Sequence, residues 1–229
     1  MAELERKPEF VERQRQRTAE REENQRRYAE AATGLLADLG SAGFAVSTVA
    51  DLRKRGVGDK RAVPVLAAWL PRITYVPLKR DVIATLGSSW ARPQATRPLL
   101  DEFHRIDPVT DPPNGLRWSI GDALERVADE SVLDELLAIA QDRRHGRARA
   151  LVVVALGNMG RERRRAVPVL LELLSDTDVA PYAVMGLGKL RATEARAAIE
   201  PFSDHPEAWV RKEAKKALAK IEAARNDPR

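Results

Sequence analysis

Leu86, Leu124, Leu156, Leu187 and Leu218 recur at intervals of 38, 32, 31 and 31 residues, each behind a small or short residue (Thr85, Ala123, Ala155, Gly186, Ala217). No other feature constrains the fold as much, because a unit too short to bury its own apolar face must stack on its neighbours. A period of about 31 residues has room for two helices of three to four turns and two short turns. The residue classes around each leucine agree. Four before it stand Val82, Ile120, Val152, Ala183 and Ala214; eight before it, Leu78, Leu116, Ala148, Val179 and Val210; three after it, Ser89, Val127, Met159, Leu190 and Ile221. At about 100° per residue these positions share one helical stripe. Gly87, Gly157 and Gly188 follow the leucine in three units, where a missing side chain allows close helix approach or an early helix end.

Apolar pairs mark the first helix of each unit: Val65-Leu66, Leu99-Leu100, Leu136-Leu137 and Val169-Leu170, with Ile199 in the last. Two of these helices carry the string Ala-Val-Pro-Val-Leu, at Ala62 and at Ala166. Proline is tolerated in a first turn, where its missing N–H has no partner to lose, so these helices are expected to begin near Lys60 and Arg164. A proline- and aspartate-rich insertion at 107–115 accounts for the 38-residue interval. Ala, Leu, Arg and Glu recur throughout, all strong helix formers, and no run of alternating β-branched residues points to a sheet. The class is all-α.

The string Ala-Val-Pro-Val-Leu, a short turn, then Val/Ala followed at a fixed distance by Ala-Leu-Gly resembles HEAT repeats, in particular the subclass named after phycobilisome lyases. The resemblance covers about 59–224. It implies a right-handed α-solenoid of about five HEAT-like helix pairs whose second helices line the concave face. It implies little about function, since fold and function separate in such families. Bilin lyase activity is not implied, there being no cysteine to support it.

The ends depart from the pattern. The last helix carries Lys215 where inner units have Ile83, Gly121, Val153 and Val184, as a terminal unit with nothing stacked on it requires. Residues 1–28 are nearly all polar and read as a charged helical extension, 29–58 as an irregular helical cap, 59–224 as the array and 225–229 as a tail. With no apolar leader and no apolar run near the roughly 20 residues that span a bilayer, a cytoplasmic protein without a membrane partner is expected. Arginine outnumbers lysine 30 to 9, a usage expected of a GC-rich bacterial genome. No cysteine and three scattered histidines leave no expected metal or cofactor site.

Four groups of residues are candidates for function. Lys79, Arg117, Arg149 and Arg211 recur seven before the aligned leucine; such a ladder serves either acidic partners or internal carboxylates and turn carbonyls. Arg80, Trp118, Asp122, Val154, Pro181 and Met185 lie opposite the buried stripe, and with Ala150 the middle ones form an apolar strip of the kind that marks partner sites. Slight misphasing, superhelical curvature or a folded-back N-terminal helix would instead cover them. Trp118 and Asp122, four apart on one helix face, are similar to a spacing in HEAT-like alkylpurine DNA glycosylases, the least favoured reading. Arg143, Arg144, Arg147, Arg161, Arg163, Arg164 and Arg165 crowd 141–166, which holds a net +6 of the chain's +5. They are expected on two opposite rims, as solvated turns or, less readily, as phosphate contacts. The favoured function is a non-enzymatic scaffold for an unidentified protein partner, with nucleic acid as the alternative.

Overall fold

A computed structural model describes residues 8–226. Among these residues it has helices and turns and no strand. α1 (Pro8–Ser41) is followed by α2 (Ala62–Trp69), α3 (Val76–Leu86), α4 (Thr96–Arg105), α5 (Leu116–Val127) and α6 (Leu133–Gln141). Then come α7 (Ala150–Leu156), α8 (Arg163–Glu172), α9 (Ala180–Lys189), α10 (Arg196–Ile199) and α11 (Ala208–Asn226). Each even-numbered helix packs on the odd one after it, and α3, α5, α7, α9 and α11 pack on one another in chain order. The in-phase leucines therefore sit on the second helix of each hairpin. Their stripe forms one continuous core: Val82, Leu86, Ile120, Leu124, Val152, Leu156, Ala183 and Leu187 are all fully buried.

Local chemistry sets the helix ends. Pro64 is the third residue of α2, as its first-turn role predicts, whereas α8 starts at Arg163 and carries Pro168 inside it. The Asp111 carboxylate accepts the N–H groups of Leu116 (2.9 Å) and Arg117 (3.0 Å), so the 107–115 insertion caps α5. Gly87 and Gly157 each end their helix and also approach the next unit closely, whereas Gly188 lies inside α9 and serves close approach alone. A Cβ on Gly157 would lie 2.7 Å from Gly186 Cα, and one on Gly188 2.6 Å from Ala217 Cβ. At the far end Lys215 is exposed where Ile83, Gly121, Val153 and Val184 are buried.

One helix, α1, runs across the 28/29 boundary between the expected extension and cap. The change in composition there alters packing and not helicity, since both halves are rich in helix formers. Residues 11–27 are exposed, while Ala32, Leu35 and Leu39 are fully buried where α1 packs on α2 and α3. The expected extension (1–28) and tail (225–229) lie partly outside the described residues, at 1–7 and 227–229. The helix is fastened by polar contacts as well. The Tyr28 hydroxyl donates to Asp81 Oδ2 (2.7 Å), whose other oxygen takes Arg53 Nη2 (3.2 Å), and Trp69 Nε1 donates to Asp38 (2.7 Å). Burial and then Asp81 push the Tyr28 phenol well above its ordinary value, so it stays a donor. Tyr28→Phe should lower stability by about 1 kcal/mol in urea denaturation and raise amide exchange in α1 first. An unchanged midpoint would mean the bond contributes nothing. Among the described residues no helix is long and apolar enough to cross a membrane.

Candidate binding surface

The cationic ladder faces inward. Lys79 Nζ donates to Glu102 Oε1 (2.6 Å), and Arg149, fully buried, donates to Asp176 Oδ2 (2.6 Å), Ala140 O (2.6 Å) and Gly146 O (3.1 Å). Arg211 Nη1 donates to the carbonyls of His205 and Pro206 (both 2.8 Å). Internal carboxylates and turn carbonyls thus take these three cations, the second of the two readings of the ladder. Arg117 is different. It is 2% exposed, stacks over Phe103 at 4.3 Å, and meets only the ring nitrogen His145 Nδ1, at 2.6 Å. Its Nε has no hydrogen-bond partner among the described residues. Burial lowers the guanidinium pKa, with Asp111, Asp142 and Asp107 acting against it.

The apolar strip is partly roofed. Val154 and Ala150 are buried, so Val154 is not a surface residue as expected. The cause is that α5 and α9 reach towards each other across α7. Trp118 meets Tyr182 edge to face, centroids 5.8 Å apart; at the other end Lys189 bonds both Glu125 and Asn158 (3.0 Å), and Asn158 donates to Glu125 O (2.7 Å). α1 takes no part, since it packs at the α2–α3 end. Trp118, Pro181 and Met185 remain partly open, and Arg80 is exposed with Nη2 on Asn114 O (3.1 Å). Asp122 is ion-paired to Arg126 one turn on (2.7 Å), both side chains being partly open to solvent.

The aromatic run continues beyond the columns opposite the buried stripe. Tyr182 also meets Trp209 at 5.7 Å, and Trp209 is 37% exposed. Together with Arg147, Pro181, Phe202 and His205 these rings line a cleft of about 250 Å³ at the N-terminal ends of α9 and α11. Tyr182 and Trp209 lie five and nine residues before their leucines, outside the columns that face directly away from the stripe. Their signal was the aromatic residue itself, placed just inside a helix start.

The basic turns stand at the two ends of α7 and are mostly neutralised. Arg144 clasps Asp142 (2.7 Å), Arg143 lies 3.4 Å from Asp176, Arg163 pairs with Glu194 and Arg165 with Asp134. Arg147 reaches Tyr182. Arg161 and Arg164 are exposed and make no ion pair among the described residues.

Residues 148–176 match the PBS lyase HEAT-like repeat family. The matched stretch runs from beside Arg149 to Asp176, so the buried ion pair ties the two ends of that repeat. No curated protein matches the chain.

Proposed function

We propose that the chain is a non-enzymatic scaffold, a right-handed solenoid of about five HEAT-like helix pairs that holds a protein partner. The contact surface is the cleft of Pro181, Tyr182 and Trp209, continued by Trp118 and Met185. The observation that carries this reading is the run of three aromatic rings, Trp118, Tyr182 and Trp209, beside an open cleft. Aromatic residues are enriched among interface hot spots, because a large rigid ring leaves water at little cost in side-chain entropy. HEAT-like repeats are also commonly scaffolds, the groove of a solenoid being its usual binding surface.

Trp209→Ala combined with Met185→Glu should weaken capture of a partner by the full-length chain roughly 30-fold, the effect of losing about 2 kcal/mol at a hot spot. The circular dichroism spectrum should stay helical. A partner held equally by wild type and variant overturns the assignment of this cleft. The nucleic-acid alternative is disfavoured because Arg143, Arg144, Arg163 and Arg165 already face carboxylates and Arg149 is buried. DNA or RNA binding with a steep salt dependence that Arg161→Ala and Arg164→Ala flatten would reverse that preference.

A further inference from the structure

The ladder cations of the first and third hairpins share a rule that the second breaks. Lys79 and Arg149 each bond a carboxylate supplied by a later segment, Glu102 and Asp176. The counterpart for Arg117 is Asp142, which occupies the same kind of turn as Asp176. Asp142 Oδ1 accepts the N–H of Arg144 two residues on (3.0 Å), as Asp176 Oδ1 accepts that of Asp178 (3.1 Å). Asp176 keeps its other oxygen for Arg149. Asp142 instead gives its other oxygen to the Arg144 guanidinium (2.7 Å), and His145 stands against Arg117. Burial and then the Arg117 charge hold the His145 pKa below its ordinary value, so at neutral pH its ring is an uncharged acceptor.

Arg117 is therefore a cation removed from water without a carboxylate in hydrogen-bonding contact. Phe103 covers the face of the guanidinium but offers no acceptor to its in-plane N–H bonds, and Nε bonds nothing among the described residues. The same side chain lines a cavity of about 180 Å³ between Pro108, Pro112 and Pro113 of the insertion and the turn at Arg144, Gly146 and Arg147. Asp111 lies there too, but both its oxygens accept the backbone N–H groups that start α5. Gly146 adopts φ +50°, a left-handed conformation that lets the turn fold beside the cavity. Arg144 and Arg147 are exposed at the rim of the cavity, Arg144 already paired to Asp142, so Arg147 is the cation an anion approaching Arg117 passes.

We propose that this cavity binds a carboxylate from an acidic segment of the protein partner, which bonds Arg117 as Glu102 bonds Lys79 and Asp176 bonds Arg149. A guanidinium that lines a cavity and has no carboxylate partner of its own matches a carboxylate in charge and hydrogen-bonding geometry. Carboxylate is preferred over phosphate because carboxylates fill the equivalent place on both neighbouring ladder cations. The inference rests on the scaffold reading, since the acid comes from a protein partner, but it concerns a different set of side chains from the aromatic cleft.

The test follows the Arg117 Nε–H resonance of the ¹⁵N-labelled full chain, assigned with Arg117→Lys, during titration with sodium acetate, sodium phosphate or sodium chloride at matched ionic strength. Acetate should shift the resonance saturably and chloride should not. His145→Glu, which supplies an internal carboxylate beside Arg117, should abolish the acetate response, and Arg147→Ala should weaken it several-fold. Absence of a saturable acetate shift overturns the proposal. So does an equal response to chloride, saturation by phosphate at a tenfold lower concentration than acetate, or an undiminished response in His145→Glu. Because acetate needs no partner, failure here leaves the Trp209 experiment standing, and loss of the aromatic cleft leaves an acetate-responsive Arg117 standing.

Discussion

Gly157→Val is expected to destabilise the protein by about 3 kcal/mol, the upper end of what forcing extra atoms into a packed core costs. At the size of this chain that corresponds to a fall in Tm of roughly 6–12 °C. The reason is backbone, not side chain. A Cβ at Gly157 would sit 2.7 Å from Gly186 Cα and 2.9 Å from Gly186 O, so no rotamer change relieves the clash and α9 itself must move. α9 is held between α7 and α11, and the shift would be passed to the next hairpin. The same contact recurs at Gly87 against Ala123 and at Gly188 against Ala217: the residue after the aligned leucine meets the residue before the next one. Gly160→Ala is the control. A Cβ there meets nothing within 4 Å, and its effect should stay within about 0.5 kcal/mol. Thermal and urea denaturation followed by circular dichroism measure both variants. A Gly157→Val protein as stable as wild type would show that α7 and α9 do not hold this spacing in solution.

That contact was half legible in the sequence. The glycines recur in phase, so they announce a role in the repeat, but spacing alone does not separate close approach from helix termination. Most of the buried stripe is legible because it depends on neighbours one hairpin away, which the period supplies; Ser89, which is exposed, and Leu116, which is half-buried, depart from it. Val154 departs from that pattern, because its burial depends on helices two hairpins apart. A helical wheel shows Val154 facing away from the stripe; it does not show Trp118 and Tyr182 closing over α7. The ladder illustrates the same limit. The column of cations is plain in the alignment, but their partners depend on the residue two after the turn aspartate. Arg144 in that place draws Asp142 away from Arg117, while Asp178 in the corresponding place leaves Asp176 to Arg149. The continuity of α1 was hidden for another reason: a polar stretch and an amphipathic one can be equally helical, and only their packing differs.

The other large effect is expected at Asp176. Asp176→Ala strands the fully buried Arg149 guanidinium with two carbonyls and no anion, a loss of about 3–5 kcal/mol by comparison with other broken buried pairs. Arg149→Met should cost less, about 2 kcal/mol, because it removes the charge that is hardest to strand. Asp176 would still have the Asp178 N–H and Arg143 at 3.4 Å. The double variant should be milder than Asp176→Ala alone, since it leaves no buried charge without its partner. Strict additivity in the denaturation midpoints would mean the two side chains do not interact. Acid gives an independent check. Burial pushes the Asp176 carboxyl up, but the Arg149 hydrogen bond, the Asp178 N–H and the charges of Arg149 and Arg143 outweigh it and hold the pKa below the ordinary value. A carboxyl depressed in the folded state adds stability that is complete above its unfolded pKa of about 4 and is lost as pH falls through the folded value. The stability gap between wild type and Asp176→Ala should therefore be full at pH 7 and shrink below about pH 4. A gap that stays constant into acid would place the stabilisation in packing and not in the charge on Asp176.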